Sequence, residues 1–212
     1  MVSGRGAPHI YLDVDDVLAE TTRALAELAR TGFGKQVEFD AMVQFDLRVS
    51  LDLDPDEHVE FMAAAHEDDF LLGLAPMAGA VEIVGGWYGA GAQISVVTGR
   101  PPHSRDSTGR WLERTGVRHH RLEHVDKYGR YDTPEAVKKE ALADRDYAIV
   151  IEDSLEMAEF FVHRSDARVL LVDRPWNRAS SFQSSRIQRV HDWSGIAAVC
   201  ADLDVRLARS VA

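Results

Sequence analysis

One cysteine, Cys200, is all the thiol the sequence contains, so no internal disulfide can form, which fits a reducing cytoplasm. Basic residues are also in short supply: 24 Lys and Arg stand against 35 Asp and Glu, a net charge of −11. That deficit argues against a nucleic-acid polymer as the main partner, because backbone binding needs clustered Lys and Arg. It leaves room for a small phosphorylated ligand, since one metal ion can reverse a local field. Long apolar runs are missing as well. The longest uncharged stretch, Ile83–Gly99, holds five glycines and Gln93, which excludes a membrane span. No signal-peptide core follows Met1–Pro8, because Ile10–Leu12 runs straight into Asp13. The expected location is cytoplasmic, and there is neither an internal repeat nor a low-complexity segment.

What is present is a rhythm. Five short apolar or β-branched runs end at polar residues: His9–Asp13, Gln93–Val97, His119–Val125, Tyr147–Ile151 and Arg168–Val172. Helix-like segments separate them: Val17–Arg30, Ala78–Tyr88, Ser104–Thr115, Pro134–Ala143 and Leu155–His163. The Thr133-Pro134-Glu135 run, with Thr or Asp as cap, is a helix-start signal. Strands alternating with helices predict an α/β fold with a mostly parallel sheet covered on both faces. The first gap breaks the rhythm with helical pieces around turn-rich Gly32-Phe33-Gly34 and Asp52-Leu53-Asp54-Pro55. The expected organisation is a core of residues 1–16 and 78–212, with a small helical cap at 17–77. Residues Arg174 to Val190 read as a long surface loop.

Chemistry gathers where the apolar runs stop. In His9-Ile-Tyr-Leu-Asp13-Val-Asp15-Asp16, Asp13 and Asp15 stand two apart at a strand end. The carboxyl ends of parallel strands form the ligand crevice of such sheets. One carboxylate can attack phosphorus while the other protonates the leaving alkoxide and then deprotonates water. A divalent cation would shield the nucleophile from the substrate's charge. Ile94-Ser-Val-Val-Thr98-Gly99-Arg100 ends a second strand in a hydroxyl, a glycine and a cation, and a Thr hydroxyl with nearby N–H groups can hold a phosphoryl oxygen. Ala148-Ile-Val-Ile-Glu152-Asp153 ends a third in acids able to ligate Mg²⁺. Lys138 and Lys139 precede that strand, and one of them could neutralise the nucleophile–phosphate pair; Lys139 reads more simply as a solvated helix face.

Taken in order, Asp13-Val-Asp15, Thr98, Lys138 and Glu152-Asp153 resemble the haloacid dehalogenase (HAD) superfamily of phosphotransferases. The resemblance implies a Rossmann-like core, an aspartyl-phosphate intermediate and Mg²⁺. It makes Asp13 the nucleophile and Asp15 the acid/base, with Thr98 and Lys138 on the phosphoryl group. It makes Asp13, Asp15 (through its carbonyl), Glu152 and Asp153 the metal group. Asp16, Gly99 and Arg100 are the expected substrate contacts. An acid at Asp15 is similar to phosphatases, whereas dehalogenases and phosphonatases lack one there.

Within the superfamily the chain resembles the 5'(3')-deoxyribonucleotidases. The shared features are the cap, the Phe70-to-Glu82 approach to the second strand, Arg174-Pro175-Trp176-Asn177 and His191-Asp-Trp193. Its second half is similar to the phosphatase domain of phage-type polynucleotide kinase through Thr98-Gly-Arg100, Trp111-Leu-Glu and Val137-Lys138-Lys-Glu140, which favours Lys138 over Lys139. Three positions depart from the usual patterns: Asp16 where Gly is usual, Thr98-Gly99-Arg100 where the nucleotidases have Thr-Ser, and Glu152-Asp153 where they have Asp-Asp.

Other features carry less. Asp52-x-Asp54-x-Asp56 lacks the glycine and glutamate of a calcium loop, so Asp54-Pro55 reads as a helix start. His120 and His124 would sit about 13 Å apart on one strand face, too far for one ion, and read as surface or packing residues, as does His119. Lys127 and Arg130 read as solvated loop charges. Phe39, Phe45, Phe61 and Phe70 read mostly as the cap's own core, with one or two able to stack on a base. The C-terminal arginines read as a charge-balanced surface.

The expected function is Mg²⁺-dependent hydrolysis of a small phosphomonoester, foremost a nucleoside monophosphate. The alternatives are a phosphatase of a nucleic-acid 3' end or of another phosphometabolite, and a non-catalytic HAD-scaffold binding module. The expected partner is a small phosphorylated substrate, with homodimerisation left open.

Overall fold

The computed structural model describes residues 7–131 and 133–210. Most of the Met1–Pro8 segment, and Asp132 as an alternative helix cap, lie outside the described residues. Seven strands form one sheet: β1 (His9–Leu12), β2 (Gln93–Thr98), β3 (Arg121–Asp126), β4 (Val137–Lys138), β5 (Ile149–Glu152), β6 (Arg168–Val172) and β7 (Ile187–Val190). Their order is β4-β3-β2-β1-β5-β6-β7, and every neighbouring pair is parallel. Among the described residues eight α-helices accompany them: α1 (Thr21–Phe33), α2 (Leu47–Ser50), α3 (Pro55–Ala65), α4 (Asp68–Gly73), α5 (Ala80–Gly89), α6 (Arg105–Thr115), α7 (Leu155–Arg164) and α8 (Trp193–Ser210). Among the described residues no helix is long and apolar enough to cross a membrane.

Strand alternation divides the core in two. Ile10, Leu12, Ile94, Val96, Ile149 and Ile151 face one apolar cluster, which includes Trp111 of α6 and Trp193 of α8. Tyr11, Val97, Val125 and Val150 face the other, with Met157 and Phe161 of α7. Burial on both faces is why these strands read as near-continuous apolar runs. A third, smaller cluster lies between β1 and α5 in sequence. There Leu25 and Ala29 of α1 pack with Met42, Leu51, Leu53, Phe61 and Ala65. Asp54 caps α3 through a capping box with Glu57, with Pro55 in the first turn, so the Asp54-Pro55 pair starts a helix as expected.

Two expected elements are corrected. The segment at 134–143 is not an α-helix: Val137–Lys138 pairs with Val125–Asp126 as β4, and Lys139–Leu142 makes a single 3₁₀ turn. Ala136 and Leu142 are its only well-buried apolar residues, too few for a helical face, while the open edge of β3 supplies backbone partners. The stretch from Arg174 to Val190 is not all loop. It contains a 3₁₀ turn at Pro175–Asn177 and strand β7, which extends the sheet beyond β6. Helix α8, which follows it, has no counterpart among the sequence expectations.

Candidate active site

Asp13, Glu152 and Asp153 converge beyond the carboxyl ends of β1 and β5. Their backbones are locked together by Asp13 N–H donating to the Ile151 carbonyl at 3.1 Å. One carboxylate oxygen from each of the three lies within 4.8 Å of the others. All three are buried, and Glu152 is 0% exposed.

The cation among them is Lys127. Its Nζ lies 2.8 Å from Asp13 Oδ1 and 2.5 Å from Glu152 Oε1, and the residue is 1% exposed. This corrects the reading of Lys127 as a solvated loop charge. It also places Lys138 elsewhere: Lys138 pairs in register with Asp126, its side chain is 61% exposed, and its Nζ is 3.9 Å from Asp126 Oδ2. Lys139 pairs with Glu156 at 2.7 Å. The reason is sheet geometry. Lys127 follows β3 on the same side as Val125, and β3 is two strands from β1. To reach Asp13 its stem must cross β2, and it does so over Gly99, where an added Cβ would lie 3.4 Å from Lys127 Cδ. The one signal in the sequence was positional: Lys127 follows a strand end, as Asp13, Gly99 and Asp153 do.

The charges are unequal. Burial first, and then Glu152, push the Asp13 carboxyl up to about 8, against the pull of Lys127. Burial, Asp13 and Glu152 raise Asp153 well above the carboxylate range. Burial alone would lower Lys127, but Asp13 and Glu152 outweigh it and hold the ammonium well above its ordinary value. Three buried carboxylates share one lysine, and their converging hard oxygen donors could hold a metal ion, whose charge would favour their ionised forms. The Glu152 oxygen facing Lys127 also accepts from Tyr11 Oη at 2.6 Å, and Oε2 accepts from Ser154 N at 3.3 Å. Asp153 Oδ2 accepts from Trp176 Nε1 at 2.9 Å, and its carbonyl accepts from Asn177 at 2.8 Å, so the 3₁₀ turn at Pro175–Asn177 holds it in place.

Asp15 stands apart from this cluster. Its carboxylate accepts from Arg100 Nε at 3.1 and 3.2 Å and from Arg100 Nη2 at 2.7 Å, and it takes the Thr21 hydroxyl at 2.7 Å. Its partial burial opposes ionisation, but Arg100 and Thr21 outweigh it and hold the carboxyl below the usual range. Arg100 is 4% exposed and its remaining Nη1 donates to Thr108, so the guanidinium expected at the substrate is committed to Asp15. Thr98 is fully buried, and its hydroxyl accepts from Arg100 N at 3.1 Å. The Arg100 carbonyl is held by Nδ1–H of His124, which lies in the core as a packing residue.

Asp16 adopts φ 57°, the left-handed region where glycine is the easy choice. Its side chain turns to the start of α1, accepting Thr22 N at 3.1 Å and the Thr22 hydroxyl at 2.5 Å. Arg174 donates to its carbonyl at 2.6 Å. An acid is tolerated here because it satisfies helix N-terminal donors. Thr21 and Thr22 gave no sign in the sequence; their roles follow from where α1 begins.

Asp13, Asp15, Asp16, Arg100, Lys127 and Asp153 line a cavity of about 590 Å³ between the α1–α4 segment and the sheet edge. Its upper wall includes Leu25, Met42, Phe45 and His66, and its lower wall Tyr128 and Trp176. Phe45 meets Tyr128 at 5.4 Å between ring centres, and Phe39 meets Trp176 at 5.8 Å. Phe61 is buried in the small cluster as expected, with Phe70 packed at its margin.

No protein-family model matches the sequence, and no curated protein matches it. Solved structures do. A haloacid dehalogenase-like family hydrolase from Streptococcus pneumoniae is similar over 91% of this chain and 98% of its own, at 13% identity and a TM-score of 0.63. A predicted phosphatase from Clostridium acetobutylicum is similar over 93% and 100%, at 12% identity and 0.62. A HAD family hydrolase from Deinococcus radiodurans, with bound phosphate and sodium, is similar over 95% and 98%, at 18% identity and 0.59. At these identities the likeness is one of architecture, and the chain has the Rossmann-like fold of the HAD hydrolases.

Proposed function

We propose that this chain is a Mg²⁺-dependent phosphomonoester hydrolase that works through Asp13. The observation that carries the reading is the buried Asp13–Lys127 pair at the carboxyl edge of β1, with Asp15 two residues on and Asp153 beside it. Asp13, Asp153 and the main-chain carbonyl of Asp15 would hold the ion, with Glu152 beside them. Bound there, it supplies positive charge that lets an anionic phosphate approach a carboxylate.

An Asp13 oxygen attacks phosphorus, the ester P–O bond breaks, and the leaving alkoxide takes a proton from Asp15. Water then attacks the aspartyl phosphate, Asp15 takes the water's proton, and inorganic phosphate leaves. Arg100 keeps Asp15 ionised in the resting site, so a substrate bound as its monoanion passes its phosphate proton to Asp15, which hands it on to the leaving alkoxide. Lys127 neutralises Asp13 and a phosphoryl oxygen. Thr98 acts through the main chain of the Gly99–Arg100 turn that it holds.

The substrate we favour is a nucleoside monophosphate. The cavity size suits a small organic ligand, and Phe45, Tyr128 and Trp176 offer aromatic faces to a base. The α1–α4 segment, acting as a cap over the site, disfavours a polymer end.

Phosphate release should be measured on ribo- and deoxyribonucleoside 5'- and 3'-monophosphates, sugar phosphates and a 3'-phosphorylated oligonucleotide, with Mg²⁺ and with EDTA. Metal-dependent turnover concentrated on nucleotides is the expected result. Turnover only on the oligonucleotide or sugar phosphates replaces the substrate. Silence across the panel in folded protein favours a binding module.

A further inference from the structure

We propose that Tyr11 is a positioning residue for Lys127, acting through Glu152; the inference rests on the phosphatase reading for its kinetic consequence, not for its geometry. Tyr11, Val150 and Val97 face the same apolar cluster, and Tyr11 alone of these three carries a hydroxyl. A buried hydroxyl is costly unless it is partnered. Tyr11 is 0% exposed, and its hydroxyl donates to Glu152 Oε1 at 2.6 Å. That oxygen is the one that Lys127 Nζ approaches at 2.5 Å.

The ring has no freedom to leave. It packs edge-on against Phe161 at 5.1 Å and Tyr147 at 5.4 Å, and the Lys127 ammonium sits 5.5 Å from its centre. Parity explains the arrangement. Tyr11 lies on β1 with Asp13 two residues on, just past the strand's end, and Tyr11 pairs in register with Val150, two before Glu152 on β5. Tyr11, Glu152, Lys127 and Asp13 therefore form one chain, of two hydrogen bonds and an ion pair, across a single face of the sheet.

The consequence concerns how Lys127 is shared. The ammonium donates to Glu152 and forms an ion pair with Asp13, so the two carboxylates compete for one charge. Glu152 Oε1 divides its acceptor strength between Tyr11 and Lys127, which limits its pull on the lysine. Without the Tyr11 hydroxyl, Glu152 turns fully to Lys127 and draws it from Asp13 and from the place of a phosphoryl oxygen. Hydrogen bonds to ionised groups are strong enough for this competition to matter.

The test is Tyr11→Phe, which keeps the ring and its packing, assayed with p-nitrophenyl phosphate and Mg²⁺, alone and combined with Glu152→Gln. We expect kcat/KM to fall about tenfold in the single variant, the size of one charge-assisted hydrogen bond, with inorganic phosphate inhibiting less well. In the Glu152→Gln background the same change should cost less than about twofold, because the partner has already been altered. An equal loss in both backgrounds, or no loss in the first, overturns the inference. A crystal structure of Tyr11→Phe supplies the second readout. Lys127 displaced from Asp13 supports the proposal, and an unmoved lysine overturns it. If wild-type protein hydrolyses no phosphomonoester, the phosphatase reading fails, and the lysine's position still decides this one.

Discussion

The Nζ of Lys127 lies 2.8 Å from Oδ1 of Asp13, although the two residues follow strands β3 and β1, which have β2 between them. On the proposed mechanism Lys127→Met should therefore lower kcat by about 10²-fold or more, because it removes the charge beside Asp13. It should also destabilise the metal-free fold by about 3–5 kcal/mol, since Asp13 and Glu152 lose a buried counter-ion. Lys138→Ala, at an exposed edge position, should stay within about twofold of wild type and within about 0.5 kcal/mol in stability. Steady-state kinetics and urea melts of the two variants check both statements.

Asp13→Asn should abolish turnover without unfolding the chain. Burial and Glu152 raise the folded-state value to about 8. Between about pH 4 and pH 8 the folded state thus binds more protons at this group than the unfolded state, and metal-free stability falls as pH rises. Asn removes that contribution. In EDTA at pH 7.5 its melting temperature should equal or exceed the wild-type value. Mg²⁺ should raise the wild-type melting temperature more than the variant's, a difference that scanning calorimetry measures directly.

Asp15→Asn should act on chemistry and on the fold together. If Asp15 carries the proton as proposed, its loss should cost about 10²–10⁴-fold in kcat, more on alkyl phosphates than on p-nitrophenyl phosphate, whose leaving group needs little protonation. The buried Arg100 guanidinium would lose its bidentate partner, a change worth about 3 kcal/mol. Equal kcat losses on the two substrate types would remove Asp15 from the acid role.

His124 sets an acid limit on stability. Burial lowers its value to about 4, against the raising effect of its bond to the Arg100 carbonyl. Below pH 6.5 the unfolded chain takes up a proton that the folded chain refuses, so stability is full above that point and is lost progressively down to about pH 4. The loss amounts to about 3 kcal/mol across the window. Melting temperatures at pH 4.5 and 7 should differ less in His124→Gln than in wild type.

Much of the site was legible because strand ends are local features. Asp13, Asp15, Glu152 and Asp153 each follow an apolar run of a few residues, and no long-range knowledge is needed to see that. The lysine was not legible in the same way. Lys138 sits in a stretch with a good helix-start signal, but Val137 found an open strand edge beside Val125, and pairing overrode local preference. Asp16 and Arg100 line the cavity, and their side chains also hold the start of α1 and Asp15. Type and position in the chain suggested both residues; their side-chain partners, Thr22 six residues on from Asp16 and Asp15 eighty-five residues before Arg100, follow only from the folded structure.

The sequence by itself determined the alternation of strands and helices, the parallel sheet with both faces buried, and the acids at the ends of β1 and β5. These rest on periodicity and composition within windows of a few residues, where backbone sterics and apolar burial act directly. The tertiary structure alone decided which cation meets Asp13, that Gly99 leaves space for it to cross, that Tyr11 shares Glu152 with it, and that Arg100 is bound to Asp15. Those facts depend on strand order and register, and both are settled by the packing of segments far apart in the chain.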